Sequence, residues 1–262
     1  WQRSVREKAA KVQELFDSDV LQLEWRELKV GRRPDAEAIM ESSSKFKCKD
    51  PECSTLRDWY PPGVGNLPMH LARLVCQRCN CWWDAKLRRR YAANMVGLAV
   101  PLTALVFTMG LVGGLTVNKF FLAVLAPLMP VYTLVMRQYG EHKQSAAALD
   151  RLKEHAEKLW DKVLAGGLTP EALAAESRSL QDEIYERRRS SPLIFDWVYR
   201  RLRDTQEEQM NRGASELVEQ ARATLSERDI GVLSLSLDKD GGDVHNPSPQ
   251  QALKPPSGGR AS

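Results

Sequence analysis

The sequence predicts an all-α protein, built from a transmembrane helical hairpin and a cytosolic helical bundle. The 45 residues from Ala92 to Met136 contain one charged side chain, Lys119, although 27% of the whole chain is charged. Apolar residues on both sides of this block recur at helical spacing, and strand-like alternation is almost absent. Charge this unevenly distributed excludes an ordinary single soluble domain, and five cysteines in 262 residues exclude a secreted disulfide scaffold. The net charge of +4 gives no reason to expect a nucleic-acid partner.

Residues 1–30 predict a basic amphipathic helix that ends near Gly31. Val5, Val12 and Phe16 recur at helical spacing, and basic residues lie between them. The chain begins with Trp1, has no apolar signal-peptide segment, and enters this helix without a recognisable start. We therefore expect the sequence to be a fragment that continues upstream of Trp1.

Two segments connect this helix to the uncharged block. Residues 31–66 are rich in Pro, Gly and Ser and predict a loop-rich cytosolic segment. Residues 67–91 predict a juxtamembrane helix that runs directly into the first span. Trp82 and Trp83 lie close to a basic cluster, which is typical of the membrane interface. Packing in a cytosolic helical core is the alternative for both tryptophans.

Residues 92–139 predict the transmembrane hairpin. Met95–Leu115 is uncharged and would extend about 31 Å as a helix, enough to cross the hydrocarbon core. Phe120–Met136 would extend about 25 Å, and Lys119 can lengthen it by reaching toward the interface. The link Thr116–Lys119 is so short that the two helices must be antiparallel. A buried hairpin in a large soluble protein is the alternative.

The flanking charges predict the topology. Arg88, Arg89 and Arg90 precede the first span, whereas Lys119 is the only charge in the external loop. The positive-inside rule then places both long polar regions in the cytosol. Asp, Glu and Arg are absent from the spans, which argues against an ion-coupled transporter.

Gly110 and Gly114 form a small-xxx-small pair in the first span. Such a pair allows two helices to approach closely, so both are candidates for helix packing. A local kink near the end of the span is the alternative.

Residues 140–230 predict a cytosolic helical bundle. Gly166 and Gly167 should end its first helix, Thr169 followed by Pro170 should begin the second, and Ser190–Pro192 should separate the second from the third. From about Asp238, Gly, Pro, Ser and Gln dominate, so residues 238–262 predict a disordered tail.

Two arginine clusters are the candidate anion-binding residues. Arg187, Arg188 and Arg189 form a run, as do the arginines at 88–90, and guanidinium groups are well suited to phosphate. Ion pairing within the protein and attraction to an anionic membrane surface are the alternatives.

Metal binding and catalysis receive little support from the sequence. Cys76, Cys79 and Cys81 are the candidate metal ligands, but they lack the paired knuckles of a structural zinc site. We therefore predict reduced structural thiols and no metal. Since histidines, serines and carboxylates show no catalytic pattern, we predict that the protein is not an enzyme.

Several long motifs resemble one family, the SMODS-associating four-transmembrane effectors of bacteria. These motifs are DWYPP (58–62), LPMHLARLVCQRCNCWWDAKLRRRY (67–91), GGLT (113–116), LAPLMP (125–130), RLKEHAEKLW (151–160) and LQDEIYERRRSSPLIFDWVYRRLR (180–203). The resemblance covers roughly residues 1–226. It implies four spans, so a second pair would precede Trp1, in keeping with the expected fragment.

The resemblance also implies a function. Such a protein would lie in the bacterial inner membrane and act as the effector of an antiphage system. A partner synthase would make a cyclic oligonucleotide, and the effector would oligomerise in the lipid bilayer and form a pore. No ligand residues are carried over from the family. A membrane scaffold that recruits a cytosolic partner through the helical bundle, without forming a pore, is the alternative.

Overall fold

The computed structural model describes residues 2–48, 50–53, 56–114 and 116–224, without the side chains of Gln2, Asp196, Trp197, Leu202, Asp204 and Thr205. Within these residues every regular element is helical, which confirms the predicted all-α class. The helices are α1 (Gln2–Val20), α2 (Glu27–Val30), α3 (Ala36–Lys47), α4 (Met69–Val112), α5 (Val117–Phe120), α6 (Ala126–Leu164), α7 (Pro170–Ser190) and α8 (Asp196–Thr224). A 3-10 turn, Pro62–Asn66, precedes α4, and a π-helical turn, Phe121–Leu125, joins α5 to α6. The tail predicted for residues 238–262 lies outside the described residues.

The N-terminal segment is not one continuous helix to Gly31, as the sequence suggested. It ends at Val20 because Gln22 adopts a positive φ of 52°, which a helix does not accommodate. The guanidinium of Arg73 donates to the carbonyl oxygens of Leu21 and Gln22 and so holds this turn in place. The chain then runs without helix to α2.

The segment 31–66 also contains more helix than its composition suggested. The serine run 42–44 lies in α3, and the hydroxyl of Ser42 donates to the carbonyl oxygen of Ala38 at 2.9 Å. An ion pair between Glu41 and Lys45, one turn apart, supports the same helix. None of the residues of α3 is buried, so local interactions outweigh tertiary packing here.

α4 and α6 are the two longest helices, and they pack against each other in opposite directions. Contacts between them pair Arg78 with Glu157 and Tyr91 with His142. Nearer the turn, Phe107 of α4 contacts Phe120 of α5, with ring centroids 5.0 Å apart. The residue numbers on α4 increase from 78 to 107 along these three contacts, whereas those of their partners decrease from 157 to 120. The two helices are therefore antiparallel. Gly114 supplies the left-handed residue of the turn, with φ of +62°.

The apolar parts of these two helices are exposed. Both are long and apolar enough to cross a membrane, and only 6% of the most apolar 18-residue window in each is buried. Leu98, Leu111 and Leu122 each expose more than 65% of their surface. A core helix of a soluble protein would bury such residues, since each buried apolar side chain contributes about 1.5–3 kcal/mol.

The polar half of the chain is a bundle of α1, α7 and α8 with the N-terminal part of α4 and the C-terminal part of α6. The Thr169 hydroxyl accepts from the backbone N–H of Ala172 at 3.2 Å and caps α7, as the sequence predicted. Gly166, with φ of +71°, ends α6 in the predicted place. The buried apolar side chains include Leu71, Leu74 and Val75 of α4, Leu149 and Leu159 of α6, Leu173, Leu180 and Ile184 of α7, and Val198, Met210 and Val218 of α8.

α1 packs on this bundle through a polar face. Glu14, Asp17 and Ser18 are at most 3% exposed, whereas Val12 and Phe16 are about 40% exposed. α1 is therefore buried through its polar face rather than through Val12 and Phe16. The reason is that the acidic face of α1 meets buried polar groups on α7.

Candidate functional site

A cavity of about 260 Å³ lies between α1, α4, α8 and the loop that joins α7 to α8. We call it the arginine cavity because four arginines contribute to its wall. Its charged lining residues are Arg6, Arg88, Arg188, Arg203, Asp58, Asp84 and Glu207, and its aromatic ones are Trp59, Trp83 and Tyr199. A cavity with guanidinium groups and aromatic faces can hold an anion that carries a planar ring.

Three of the four arginines are neutralised by carboxylates. Arg88 pairs with Asp84 one turn earlier on α4 at 3.0 Å, and it also donates to the carbonyl oxygen of Pro192 at 3.0 Å. Arg203 pairs with Glu207 on α8 at 3.4 Å. The third is Arg188, which lies 2.6 Å from Asp17 of α1.

Arg6 differs from the other three arginines. Its Nη1 donates to the carbonyl oxygens of Ser190 and Ser191 at 3.3 and 3.4 Å, distances at the long end for hydrogen bonds. Its Nε is buried and has no hydrogen-bond partner among the described residues. Nor does Arg6 form an ion pair with any carboxylate in the part of the chain that the structure describes.

A buried polar network forms the wall behind the cavity. Arg178 of α7 donates to Glu14 at 2.8 Å and to Asp182 at 2.9 Å, and its side chain is 6% exposed. The amide of Gln181 donates to Glu14 and to Asp17, at 2.9 Å each. This network fixes the position of α1 relative to α7, and therefore the position of Arg6 and Arg188 in the cavity.

Burial and charge shift the pKa of several groups in this network. Burial raises the pKa of Glu14, although hydrogen bonds from Arg178 and Gln181 act against it. Burial alone would lower the pKa of Arg188, but the charge and hydrogen bond of Asp17 together with the charges of Tyr60 and Glu14 outweigh burial and raise that pKa. Burial also raises the pKa of Tyr60, whose hydroxyl donates to Asp17 at 2.7 Å.

This network was not predicted from the sequence. Its signal was nevertheless present, because Glu14, Asp17 and Ser18 are spaced three and four apart and so share one face of α1. Ser177, Arg178 and Gln181 repeat the same spacing on α7.

The six arginines predicted to bind an anion separate into two groups. Arg88 and Arg188 line the arginine cavity. Arg89 pairs with Asp150 of α6, and Arg189 pairs with Glu186 at 2.9 Å. Neither Arg90 nor Arg187 is part of the lining, and both are half-buried. The structure therefore brings together one residue from each run.

The cysteines of α4 are free thiols enclosed by the bundle. Cys76, Cys79 and Cys81 are each at most 3% exposed. Burial raises the pKa of Cys79 to about 11 and that of Cys81 to about 12. Within the described residues no three His, Cys, Asp or Glu side chains are grouped as a metal site. Protonated thiols of this kind are poor metal ligands and poor nucleophiles.

The residues predicted at the membrane interface lie in different surroundings. Trp83 lines the arginine cavity, whereas the ring of Trp82 is covered by the ammonium of Lys86 at 4.7 Å. Lys119 lies exposed in α5, at the end of the hairpin farthest from the bundle.

The two candidate packing glycines also differ. A Cβ atom at Gly110 would lie 2.7 Å from the ring of Phe120 and 3.1 Å from Val124, so the absence of a side chain allows close contact there. Gly114 has open space around it. Gly114 lies beyond the end of α4 at Val112, and close helix packing by the two glycines together stays a prediction.

A second cavity, of about 400 Å³, lies between the apolar parts of α4 and α6. We call it the apolar cavity. Phe195 and Val198 close it on the side of the bundle, and Ser191 and Ile194, a few residues earlier, line the arginine cavity. The segment 191–199 therefore contributes to the linings of both cavities.

A family model described as the SMODS-associating 4TM effector domain matches residues 1–217. The chain is also similar to a protein of Bacillus cereus (strain VD146) named "probable CBASS effector molecule", with 27% identity over 194 residues. The matched region is 74% of this chain and 63% of that relative, so the chain spans less than two thirds of the relative's length. No solved structure shows significant similarity to the chain.

Proposed function

Because this chain belongs to the SMODS-associating 4TM effector domain family, as the match over residues 1–217 shows, we propose that it is the membrane effector of a CBASS antiphage system. In this proposal a nucleotide second messenger, made by a partner synthase on infection, binds the polar half of the protein. The protein then oligomerises and permeabilises the bacterial inner membrane.

The observation that carries the proposal is the exposed apolar surface of α4 and α6. In water such a surface would be strongly unfavourable, whereas a bilayer covers it. The hydroxyls of Thr103, Thr108 and Thr133 each donate to the carbonyl oxygen four residues earlier, at 2.7–2.8 Å. Such internal bonds satisfy polar groups where lipid offers no partner, which supports insertion of both helices.

We infer that the polar bundle lies in the cytosol. Basic residues flank the bundle side of the hairpin, among them Arg89, Arg90 and Arg137, whereas Lys119 is the one charge near the turn. This distribution agrees with the positive-inside rule for a hairpin whose turn faces the opposite side of the membrane. A signal made in the cytosol would then reach the arginine cavity directly.

A signal can gate a membrane protein only if it binds one arrangement more tightly than the other. Two continuous connections favour such coupling here. α4 carries Asn80, Trp83 and Arg88 into the wall of the arginine cavity and continues without a break to Val112 in the apolar hairpin. The segment 191–199 contacts both cavities, so a shift of this segment would alter the packing between α4 and α6.

We infer a non-enzymatic effector. In the described residues the carboxylates of the arginine cavity are occupied by arginines or exposed, and the buried thiols are held protonated. The function assigned here requires binding and a conformational change only.

Release of a dye from liposomes tests the proposal. The full-length protein is reconstituted in liposomes, and cyclic di- and trinucleotides are added one at a time. We expect release with at least one nucleotide and none without it. Folded, inserted protein that releases no dye with any of these compounds would contradict permeabilisation and favour the scaffold that recruits a cytosolic partner. Crosslinking in the same liposomes would report whether the release accompanies oligomerisation.

A further inference from the structure

We propose that the arginine cavity is the nucleotide-binding site of this protein and that Arg6 and Trp83 contact the ligand. The identity of the ligand rests on the proposed function, but the chemistry of the site rests on the cavity itself.

The charges of the cavity favour an anion. Its lining contains four guanidinium groups and three carboxylates. Two of those carboxylates, Asp84 and Glu207, are paired with arginines of the lining, and Asp58 is exposed. Arg188 is paired with Asp17, which is not itself part of the lining. Arg6 is thus the lining arginine that no described carboxylate neutralises.

The hydrogen bonds of Arg6 are incomplete in a way that a phosphate would complete. Its Nε is buried without a partner in the described part of the chain, and its Nη1 forms only long contacts with two carbonyl oxygens. Buried donors without partners are rare and costly, and a bound anion is one explanation for such a donor on the wall of a cavity. A phosphate oxygen in the cavity would accept from the guanidinium of Arg6, after a small rotation of that side chain, and compensate its charge at the same time.

The aromatic lining favours a nucleotide over a simple anion. Trp59, Trp83 and Tyr199 line the cavity and are only half-buried. Indole and phenol rings stack on nucleobases, and such stacking contributes to binding whichever base is present. A lipid headgroup shares the phosphate but has no ring to stack, so the aromatic groups distinguish the two sources of phosphate.

The size of the cavity limits how much of the ligand it receives. At about 260 Å³ it is slightly smaller than the range of roughly 300–1,000 Å³ that is typical of sites for drug-sized ligands. We therefore infer that it encloses one base with its phosphate, and that the rest of a cyclic oligonucleotide extends beyond it or displaces the segment 191–199.

Direct binding measurements with matched variants test the site. The chain, purified in detergent, is titrated with cyclic di-AMP, cyclic GMP-AMP and cyclic tri-AMP by calorimetry. Arg6→Gln and Trp83→Leu are the test variants. Arg3→Gln, on the exposed side of α1, and Trp82→Leu, whose ring stands against Lys86 instead of lining the cavity, are the matched controls. Thermal unfolding of each variant shows whether it is folded.

We expect the wild-type chain to bind at least one nucleotide. The two test variants should weaken binding of that nucleotide tenfold or more, and the two controls should change it by less than threefold. Wild-type affinity in folded Arg6→Gln and Trp83→Leu would overturn the site, as would the absence of binding to the folded wild-type chain.

A second arm separates a nucleotide from a lipid headgroup. The same variants are placed in nanodiscs of phosphatidylcholine with or without phosphatidylglycerol. If Arg6→Gln reduces retention of phosphatidylglycerol and leaves nucleotide affinity unchanged, the cavity is a headgroup site and the inference is wrong. Nucleotide binding that both test variants weaken, without dye release from liposomes, would support the site and contradict permeabilisation. Nucleotide-triggered release by the full-length protein, with unchanged affinity in both test variants, would contradict the site alone.

Discussion

The guanidinium of Arg188 on α7 lies 2.6 Å from the carboxylate of Asp17 on α1, although 171 residues separate them in the chain. Asp17 also accepts from the hydroxyl of Tyr60 and from the amide of Gln181. Three segments of the polar bundle therefore meet at one carboxylate. Arg188 both holds α1 in place and forms part of the arginine cavity. Its substitution would therefore affect folding and binding together. Substitution of Arg6, which forms no ion pair with a described carboxylate, separates the two effects better.

The buried network should make a large contribution to stability through Arg178. Arg178→Met leaves Glu14 and Asp182 without their shared partner in a buried position, which should cost about 3–5 kcal/mol. Arg189→Met is the control, because the pair of Arg189 with Glu186 is largely exposed and such pairs contribute about 1 kcal/mol or less. Chemical unfolding in detergent measures both. Equal, small losses of stability in the two variants would contradict the structural role of the network.

His142 should make stability depend on pH. It is buried between α4 and α6, its ring lies 4.6 Å from that of Tyr91, and neither of its nitrogens has a hydrogen-bond partner in the described structure. Burial, aided by the charge of Arg88 and opposed by Asp84, lowers the pKa of His142 to about 4 from an ordinary value of 6.5. As the pH falls, His142 is therefore protonated in the unfolded chain at a higher pH than in the folded protein. The contribution of His142 is therefore present above pH 6.5 and is lost between about pH 6.5 and 4, by up to about 3 kcal/mol.

Unfolding midpoints of two variants across this pH range check the prediction. His142→Leu should remove much of the loss of stability below pH 6.5, whereas His155→Leu should keep it because the His155 side chain is 49% exposed. An identical pH profile for wild-type protein and His142→Leu would show that other groups, such as carboxylates, account for the whole effect.

The cysteines should differ sharply in reactivity. Cys76, Cys79 and Cys81 are buried, and burial raises the pKa of each thiol, so they should resist iodoacetamide at pH 8. Cys48 is exposed and Cys53 is half-buried, so these two should react. Mass spectrometry should show two modified cysteines in the native protein and five in the denatured protein. Rapid modification of Cys81 in native protein would indicate that the bundle opens more readily than its packing suggests.

Adding even one methyl group at Gly110 should lower the stability of the protein. In Gly110→Ala the new methyl group would lie 2.7 Å from the ring of Phe120, and relieving such overpacking typically costs about 1–3 kcal/mol. Gly97→Ala is the control, because a Cβ atom at Gly97 meets nothing within 4 Å and alanine favours helix. Thermal unfolding in detergent should show a lower midpoint for the first variant only. Adding Phe120→Ala to Gly110→Ala should restore part of the loss, and no restoration would mean that the strain lies elsewhere.

The sequence predicted the helical elements well where the signals were local. Thr169 with Pro170 marked the start of α7, and Gly166 marked the end of α6, because capping depends on residues within one turn of the helix end. It missed the break after Val20, since that break depends on Arg73, 52 residues further along the chain, donating to Leu21.

The candidate site was predicted only in part, and helix geometry explains why. Successive residues on a helix are about 100° apart, so three consecutive arginines cannot all face one cavity. Arg88 is the first arginine of its run and Arg188 is the middle one of its run, and both line the cavity between α1 and α8. Which member faces inward depends on the rotation of α4 and α7 in the bundle, and Arg6 carried no signal of its own among the basic residues of α1.

The sequence by itself determined that the protein has two long apolar helices and a polar helical remainder. The reason is that 45 residues with a single charge cannot be stabilised in water without burial, whatever the rest of the chain does. Tertiary structure alone decided which face of α1 is buried and which arginines share a cavity. An apolar periodicity assigns polar faces to solvent, but the acidic face of α1 is buried because its partners, Arg178, Gln181 and Arg188, lie more than 160 residues away and are brought to it only by folding.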